Sequence, residues 1–210
     1  MSTKMNSKAQ SEDPDRSWLK PEQIDQLRTA TVANSADYLA ARNDAIIALL
    51  ADTGLRVGEL VQVTDNGMFD ADDGVLRIPS GIQKQYPNGQ TPPPRTIDLE
   101  ADTVRTIQTF LNSRWKESEY LFPSRQKPKM TEQAVRNVIQ NAAEDADVKP
   151  YIGHAGRGSP SDVTPHTLRH SLAYRMLERD DGNTLYAVSR RLRHSSIQTT
   201  EQIYSHFDRV

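Results

Sequence analysis

Cysteine is absent from the 210 residues of the chain. Its absence excludes disulfides, thiol nucleophiles and thiolate metal sites. Aromatic residues make up only 6%, and the first residues lack the apolar core of a secretory signal. No apolar run approaches the roughly 20 residues of a membrane span. We therefore expect a cytoplasmic protein without a membrane partner.

Hydrophobic residues reach 36% and charged residues 26%, which is typical of a polar but foldable chain. The net charge is −2, an unfavourable balance for a protein that binds nucleic acid. Charge is unevenly divided, however, because residues 1–110 carry 11 Lys and Arg against 16 Asp and Glu, whereas residues 111–210 carry 15 against 12. The basic half also contains most of the candidate site residues described below.

Local patterns divide the chain into a short arm and one folded unit. Residues 1–16 have no apolar periodicity and predict a disordered arm, whereas residues 17–210 predict a single domain. Helical periodicity begins at Pro21, continues to a cap at Gly54, and returns in several later segments. Between Asp65 and Asp98, alternating apolar and polar residues predict a small antiparallel sheet. The predicted fold class is therefore α+β, mainly α-helical with a small antiparallel β-sheet.

Five polar residues in three motifs are the most informative feature of the chain. The motifs are T-G-L-R-V-G-E-L, H-T-L-R-H and R-H-S-S-I-Q-T-T-E-Q-I-Y, and the residues are Arg56, His166, Arg169, His194 and Tyr204. Two guanidiniums can bind the non-bridging oxygens of one phosphate, and imidazoles move protons near neutral pH. An activated phenol can form a covalent intermediate. The set indicates a phosphodiester-binding site with a tyrosine nucleophile.

Two of these motifs also have plainer interpretations. His166 and His170 are four residues apart, as in zinc-binding helices, but the Glu of H-E-x-x-H and a third ligand are missing. We therefore predict no metal site. The basic run at 190–194 would usually be a solvated face, although its place directly before His194 favours phosphate contact.

Other features are expected to support the site. Lys84 lies in a Pro- and Gly-rich connector of the predicted sheet, on a protruding hairpin. The Gly-rich segment 153–160 lacks the G-x-x-x-x-G-K-[ST] pattern of phosphate-binding loops, and we interpret it as a flexible connector. Glu59, one helical turn beyond Arg56, is expected to orient an arginine rather than to act as a base.

The three motifs, in this order, resemble those of the tyrosine recombinase, or phage integrase, family from about Trp18 to the C-terminus. The resemblance implies the catalytic-domain fold of that family for residues 17–210. It also implies that Arg56 and Arg169 bind the scissile phosphate and stabilise its pentacoordinate transition state.

The resemblance assigns the remaining roles as well. His194 would add a hydrogen bond to the phosphate, and His166 would accept the proton of Tyr204. Lys84 would protonate the departing 5′ hydroxyl, and Tyr204 would become 3′-phosphotyrosyl. No metal, cofactor or ATP is then needed, because the bond energy is conserved in the covalent intermediate.

Site-specific DNA recombination, as in mobile elements or chromosomes, is the function that the resemblance implies. Its substrate would be double-stranded DNA, on which the protein would assemble as a dimer or tetramer. Two alternatives remain open. One is a catalytically impaired relative that binds DNA as an accessory or regulatory factor, and the other is a type IB topoisomerase-like enzyme.

Two departures from the family pattern affect these expectations. His194 and Tyr204 are ten residues apart, where the family usually has nine, and one added residue turns a helical side chain by about 100°. Residues 1–16 are too few to form the N-terminal helical domain that is usual in the family. A separate core-binding domain or accessory protein is therefore expected to supply further DNA contacts.

Overall fold

The computed structural model describes residues 17–86, 89–153, 156–178, 183–194 and 196–204. The predicted disordered arm, residues 1–16, lies outside this part. The described chain is mainly helical with small antiparallel sheets, which confirms the predicted α+β class. None of its helices is long and apolar enough to cross a membrane. The helices are α1 (Pro21–Asn34), α2 (Asp37–Thr53), α3 (Val57–Leu60), α4 (Ala101–Ser113), α5 (Glu132–Asp145), α6 (Pro165–Glu178), α7 (Leu185–Leu192) and α8 (Ile197–Tyr204).

Proline and glycine set several helix ends as the sequence predicts. Helices α1 and α6 begin at Pro21 and Pro165, where the fixed φ of proline suits the first turn and its missing N–H costs no hydrogen bond. Helix α2 ends at Gly54, which has a left-handed φ of 59° and donates its N–H to the Leu50 carbonyl at 2.9 Å. The next helix, α3, has only four residues and is shorter than the run predicted from Arg56.

The predicted antiparallel sheet lies in the expected segment. It contains β2 (Phe69–Asp70), β3 (Val75–Ile78) and β4 (Arg95–Asp98) in the order β2-β3-β4. Leu76 pairs with Ile97, and both are buried, so the apolar side chains of the alternating pattern face the core.

A second three-stranded sheet was not predicted. It contains β1 (Ser17–Trp18), β5 (Tyr151–Ile152) and β6 (Gly156–Arg157), in the order β1-β5-β6. The interpretation of 153–160 as a flexible connector is therefore wrong for its described residues. Their backbone is held by strand pairing and by the hydrogen bond from Gly158 N–H to the Pro150 carbonyl, at 2.9 Å.

The core is centred on α2, which packs against α1, α4 and α6. Residues 45–50 of this helix are all buried, as expected for a helix covered on every side. A smaller cluster joins β1 to the last three helices, and it consists of Trp18, Leu172, Ala173, Val188, Leu192 and Tyr204. Helix α8 is thus fixed to the core through its final tyrosine.

Candidate functional site

An open cleft of about 710 Å³ lies between α3, the segment after β3, α5 and the start of α6, and we call it the central cleft. Arg56, Lys84 and His166 line it, although they are far apart in the sequence. Arg136 adds a further cation, whose charge is partly offset by Glu132 at 3.1 Å. Its walls are Leu55, Arg56, Val57, Gly58, Glu59, Gln62, Gly81, Ile82, Gln83, Lys84, Glu132, Arg136, Thr164, Pro165 and His166.

Arg56 lies on the tight turn between α2 and α3. A Cβ added to Gly54 would lie 2.6 Å from Cδ2 of Leu192, so the turn can approach α7 only because this residue is glycine. The Arg56 N–H donates to Glu59 Oε2 at 2.8 Å, and Arg56 Nη1 lies 3.3 Å from Glu59 Oε1. These contacts confirm that Glu59 orients Arg56. Since the Arg56 side chain keeps 28% of its surface exposed, its guanidinium still faces the cleft.

A buried ion pair lies behind Arg56. Arg193 Nη2 is 2.7 Å from Glu59 Oε2, and only 3% and 2% of the two side chains are exposed. Arg193 ends α7 in the left-handed region, with φ 56°. Burial alone raises the pKa of Glu59, but the charge of Arg193 and the N–H and charge of Arg56 outweigh it, so the pKa lies below the ordinary value. Glu59 is therefore an anion held between two arginines.

Phosphate contact by the basic run 190–194 is wrong for two of its arginines. Arg191 Nη2 lies 2.9 Å from Asp52 Oδ1, and its Nη1 donates to the Asp98 carbonyl at 3.0 Å. Arg193 is buried against Glu59, as described above. Both head groups are bound inside the protein because α7 packs its basic face against the end of α2 and the end of β4.

Arg169 is fully enclosed and connects the ends of two helices. Its Nη1 donates to the Gly54 carbonyl and its Nη2 to the Leu192 carbonyl. Burial lowers the pKa of Arg169 from 12.5 to about 9, with smaller effects from the charges of Arg56 and Arg193. The guanidinium remains protonated at neutral pH, and its position is determined by the backbone.

His194 follows α7 and faces the same group of cations. Its Nδ1 lies 2.8 Å from Oγ1 of Thr200, and its ring stacks on that of Tyr204 with centroids 6.1 Å apart. Burial lowers the pKa of His194 from 6.5 to about 3, and the charges of Arg169 and Arg56 add to this effect. The imidazole is therefore neutral at pH 7, with one ring hydrogen.

Tyr204 is fully buried and points to a residue that the sequence did not assign to it. Its Oη lies 2.8 Å from Nδ1 of His170, which is itself only 4% exposed. Burial raises the pKa of the Tyr204 phenol well above its ordinary value. His166, the expected proton acceptor, is exposed on the cleft wall, and its ring centroid is 5.3 Å from that of His170.

His170 was considered in the sequence only as a metal ligand. Among the described residues, no group of three or more His, Asp or Glu side chains is arranged to hold a metal ion. The one sequence signal for its contact with Tyr204 is its place on α6, one helical turn after His166.

Lys84 is exposed on the opposite wall of the central cleft. The residue before it, Gln83, is buried and donates from Nε2 to the Pro93 carbonyl at 2.8 Å, which closes the base of the hairpin. Sequence reasoning missed Gln83, because nothing in the local pattern indicates a buried amide there. Residues 87–88 of the hairpin lie outside the described part of the chain.

Comparisons with known proteins agree with this arrangement. The sequence profile of the Phage integrase family matches residues 17–209. The tyrosine recombinase XerD of Shewanella oneidensis is 31% identical over 200 residues, which cover 91% of this chain and 57% of that protein. This chain thus spans little more than half the length of that relative.

Solved structures share the fold. The crystal structure of a XerA recombinase matches with a TM-score of 0.68 at 24% identity, covering 90% of this chain and 60% of that one. The XerH site-specific recombinase, bound to its difH substrate in a pre-cleavage complex, matches with a TM-score of 0.68 at 20% identity, covering 91% of this chain and 51% of that one. Because the family profile covers nearly the whole chain, the protein belongs to the phage integrase family.

Proposed function

We propose that residues 17–210 form a catalytic domain for site-specific recombination of double-stranded DNA, which cleaves and rejoins a strand through a 3′-phosphotyrosyl bond. The observation that carries this proposal is the convergence of the predicted residues on one cleft and on the buried groups behind it. The charge of Arg56, on the cleft wall, contributes to the pKa shifts of Arg169, His194 and Tyr204. The exposed and buried residues therefore act as one electrostatic unit.

In this proposal the scissile phosphate binds in the central cleft against Arg56. Arg169 stabilises the charge of the transition state from below, with a guanidinium that backbone carbonyls hold in place before DNA arrives. Such preorganised donors need no rearrangement during the reaction, and losing one in other enzymes costs about 2.7–4 kcal/mol of transition-state stabilisation.

The proposed role of His194 is to donate a hydrogen bond to the phosphate. A neutral imidazole carries its hydrogen on one nitrogen only. If the Thr200 hydroxyl donates to Nδ1, that hydrogen is on Nε2, on the side of the ring away from Thr200. The low pKa of His194 also avoids adding a fourth positive charge to the three buried or half-buried arginines.

Lys84 is proposed to protonate the departing 5′ oxygen. It lies on the wall of the cleft that also contains Arg56 and His166, so a phosphate held by Arg56 is accessible to its ammonium group. The buried amide of Gln83 fixes the start of the hairpin and therefore limits the positions that Lys84 can take.

Strand exchange joins ends from two duplexes, so at least two active sites have to meet on DNA. We therefore propose that the protein works as a dimer or tetramer on its DNA site. Since the chain spans 57% of the XerD relative, a separate core-binding domain or accessory protein that adds DNA contacts is part of the same proposal.

A DNA-binding factor that does not cleave is a second candidate function, and the full burial of Tyr204 favours it. None of the tyrosine surface is exposed, so helix α8 has to shift before the phenol can reach a phosphate in the cleft. A type IB topoisomerase is chemically equivalent up to the covalent intermediate. It would relax supercoiled plasmid that carries no paired sites, whereas a recombinase would not.

Covalent trapping tests the proposal. The protein and its Tyr204→Phe and Arg56→Ala variants are incubated with nicked suicide duplexes tiled from the DNA that flanks the gene, then denatured and examined for a protein–DNA adduct. Tyr186→Phe is the matched control, because that tyrosine is 58% exposed and lies outside the site. We expect adduct from the wild type and the control only. DNA binding without any adduct would instead support the non-cleaving factor.

A further inference from the structure

Tyr204 and His170 form a hydrogen-bonded pair beneath the central cleft. The distance from Oη to Nδ1 is 2.8 Å, and the ring centroids are 5.4 Å apart at an angle of 62°. Both side chains are buried, so water has little access to the pair. The contact joins α8 to α6, 34 residues apart in the chain.

This geometry suits proton transfer from the phenol. A phenol becomes an effective nucleophile toward phosphorus only as it loses its proton, and a general base has to lie within hydrogen-bond reach of that proton. Nδ1 of His170 is at that distance, and as an acceptor it requires the imidazole hydrogen to be on Nε2. The ten-residue spacing between His194 and Tyr204 explains why the phenol meets His170, because the added residue rotates the side chain by about 100°.

We propose that His170, within the recombination mechanism proposed above, accepts the phenolic proton of Tyr204 as the tyrosine attacks DNA. The O–H bond of Tyr204 breaks while an N–H bond forms at Nδ1 of His170. The new O–P bond forms while the bond from phosphorus to the 5′ oxygen breaks, and that oxygen takes its proton from Lys84. On rejoining, His170 returns the proton to the tyrosyl oxygen. His166 then belongs to the cleft wall that receives DNA.

The charges around the pair favour the phenolate. The charges of Arg169 and Arg56 lower the cost of ionising Tyr204, against the effect of burial. The same charges oppose an imidazolium at His170, so the proton moves only when the phosphate adds negative charge to the site. His166, in edge contact with His170, and the neutral His194 ring, stacked on Tyr204, complete the titratable surroundings.

The test separates hydrogen bonding from proton acceptance. His170→Asn places an amide oxygen near the position of Nδ1, which preserves an acceptor for the phenol but cannot take its proton. Single-turnover adduct formation is measured on a nicked duplex that the wild type cleaves, together with DNA affinity and melting temperature. His166→Asn is the matched control, one turn away on the same helix.

We expect His170→Asn to form adduct about 100-fold more slowly than wild type with DNA affinity unchanged, since a general base contributes about 10²–10⁴-fold. Its rate should rise with pH as hydroxide replaces the base, and His166→Asn should lose less. If His170→Asn melts early, His170→Gln is measured in its place. A His170 variant that is as fast as wild type overturns the inference alone. A wild type that forms no Tyr204-dependent adduct on any duplex overturns the proposed function and the inference with it.

Discussion

The buried pair of Arg193 and Glu59 should be one of the most sensitive points of the fold. Arg193→Met keeps an unbranched side chain and removes the charge, which leaves a carboxylate that is 2% exposed beside Arg56 only. Removing one partner of a buried pair costs about 3–5 kcal/mol. Because Arg56 still lies 3.3 Å from Glu59, we expect the lower end of this range, about 3 kcal/mol. For a domain of this size that corresponds to a melting temperature lower by about 6–12 °C.

The assay is urea unfolding and thermal melting of three variants. Arg190→Met is the matched control, because this arginine is on the exposed face of the same helix and should change stability by less than about 0.5 kcal/mol. The double variant Arg193→Met/Glu59→Met replaces the pair by apolar side chains and should be more stable than Arg193→Met alone. A loss below about 1 kcal/mol for Arg193→Met, or one equal to the control, would refute the reasoning.

The same pair predicts how stability depends on pH. Glu59 has a lower pKa in the folded protein than its ordinary 4.5, so the unfolded chain binds the proton at higher pH than the folded chain. The stabilisation by Glu59 is then complete above pH 4.5 and disappears as the pH falls through the folded value. The stability difference between wild type and Glu59→Gln should therefore narrow in acid below pH 4.5, and a constant difference would contradict the assignment.

Two further predictions concern the groups that hold the cleft residues. Gly54→Ala places a side chain at a φ of 59° and 2.6 Å from Leu192, so it should destabilise the protein by about 1–3 kcal/mol in thermal melts. Unaltered stability would show that the turn does not have this conformation. Gln83→Ala removes the hydrogen bond to the Pro93 carbonyl, which should cost about 1 kcal/mol. It should also slow cleavage by displacing Lys84, while a cleavage rate equal to wild type would exclude this positioning role.

The elements that depend on local signals could be predicted from the sequence. Pro21 and Pro165 begin helices because their fixed φ fits the first turn, and Gly54 ends α2 because glycine adopts the left-handed cap without strain. Alternation of apolar residues was sufficient for the β2-β3-β4 sheet. The strands of β1-β5-β6 have two residues each, too few for any alternation to be visible.

The site was predicted in its residues but not in its contacts. Arg193 and Glu59 are 134 residues apart, and no periodicity relates them. In the sequence, Arg193 is one of several adjacent arginines, and only the packing of α7 against α3 distinguishes a buried partner from a solvated one. The choice of His170 over His166 as the neighbour of Tyr204 likewise depends on how α8 is rotated against α6.

The attachment site of DNA is the most direct test of the whole account. A covalent adduct trapped on a suicide duplex is trimmed with nuclease and digested with trypsin, and the peptides are sequenced by mass spectrometry. Cleavage after Arg193 and Arg209 releases a peptide in which Tyr204 is the only tyrosine. The account predicts a nucleotide mass on Tyr204 in this peptide. A nucleotide on any other residue, or none on any duplex that the protein binds, would contradict it.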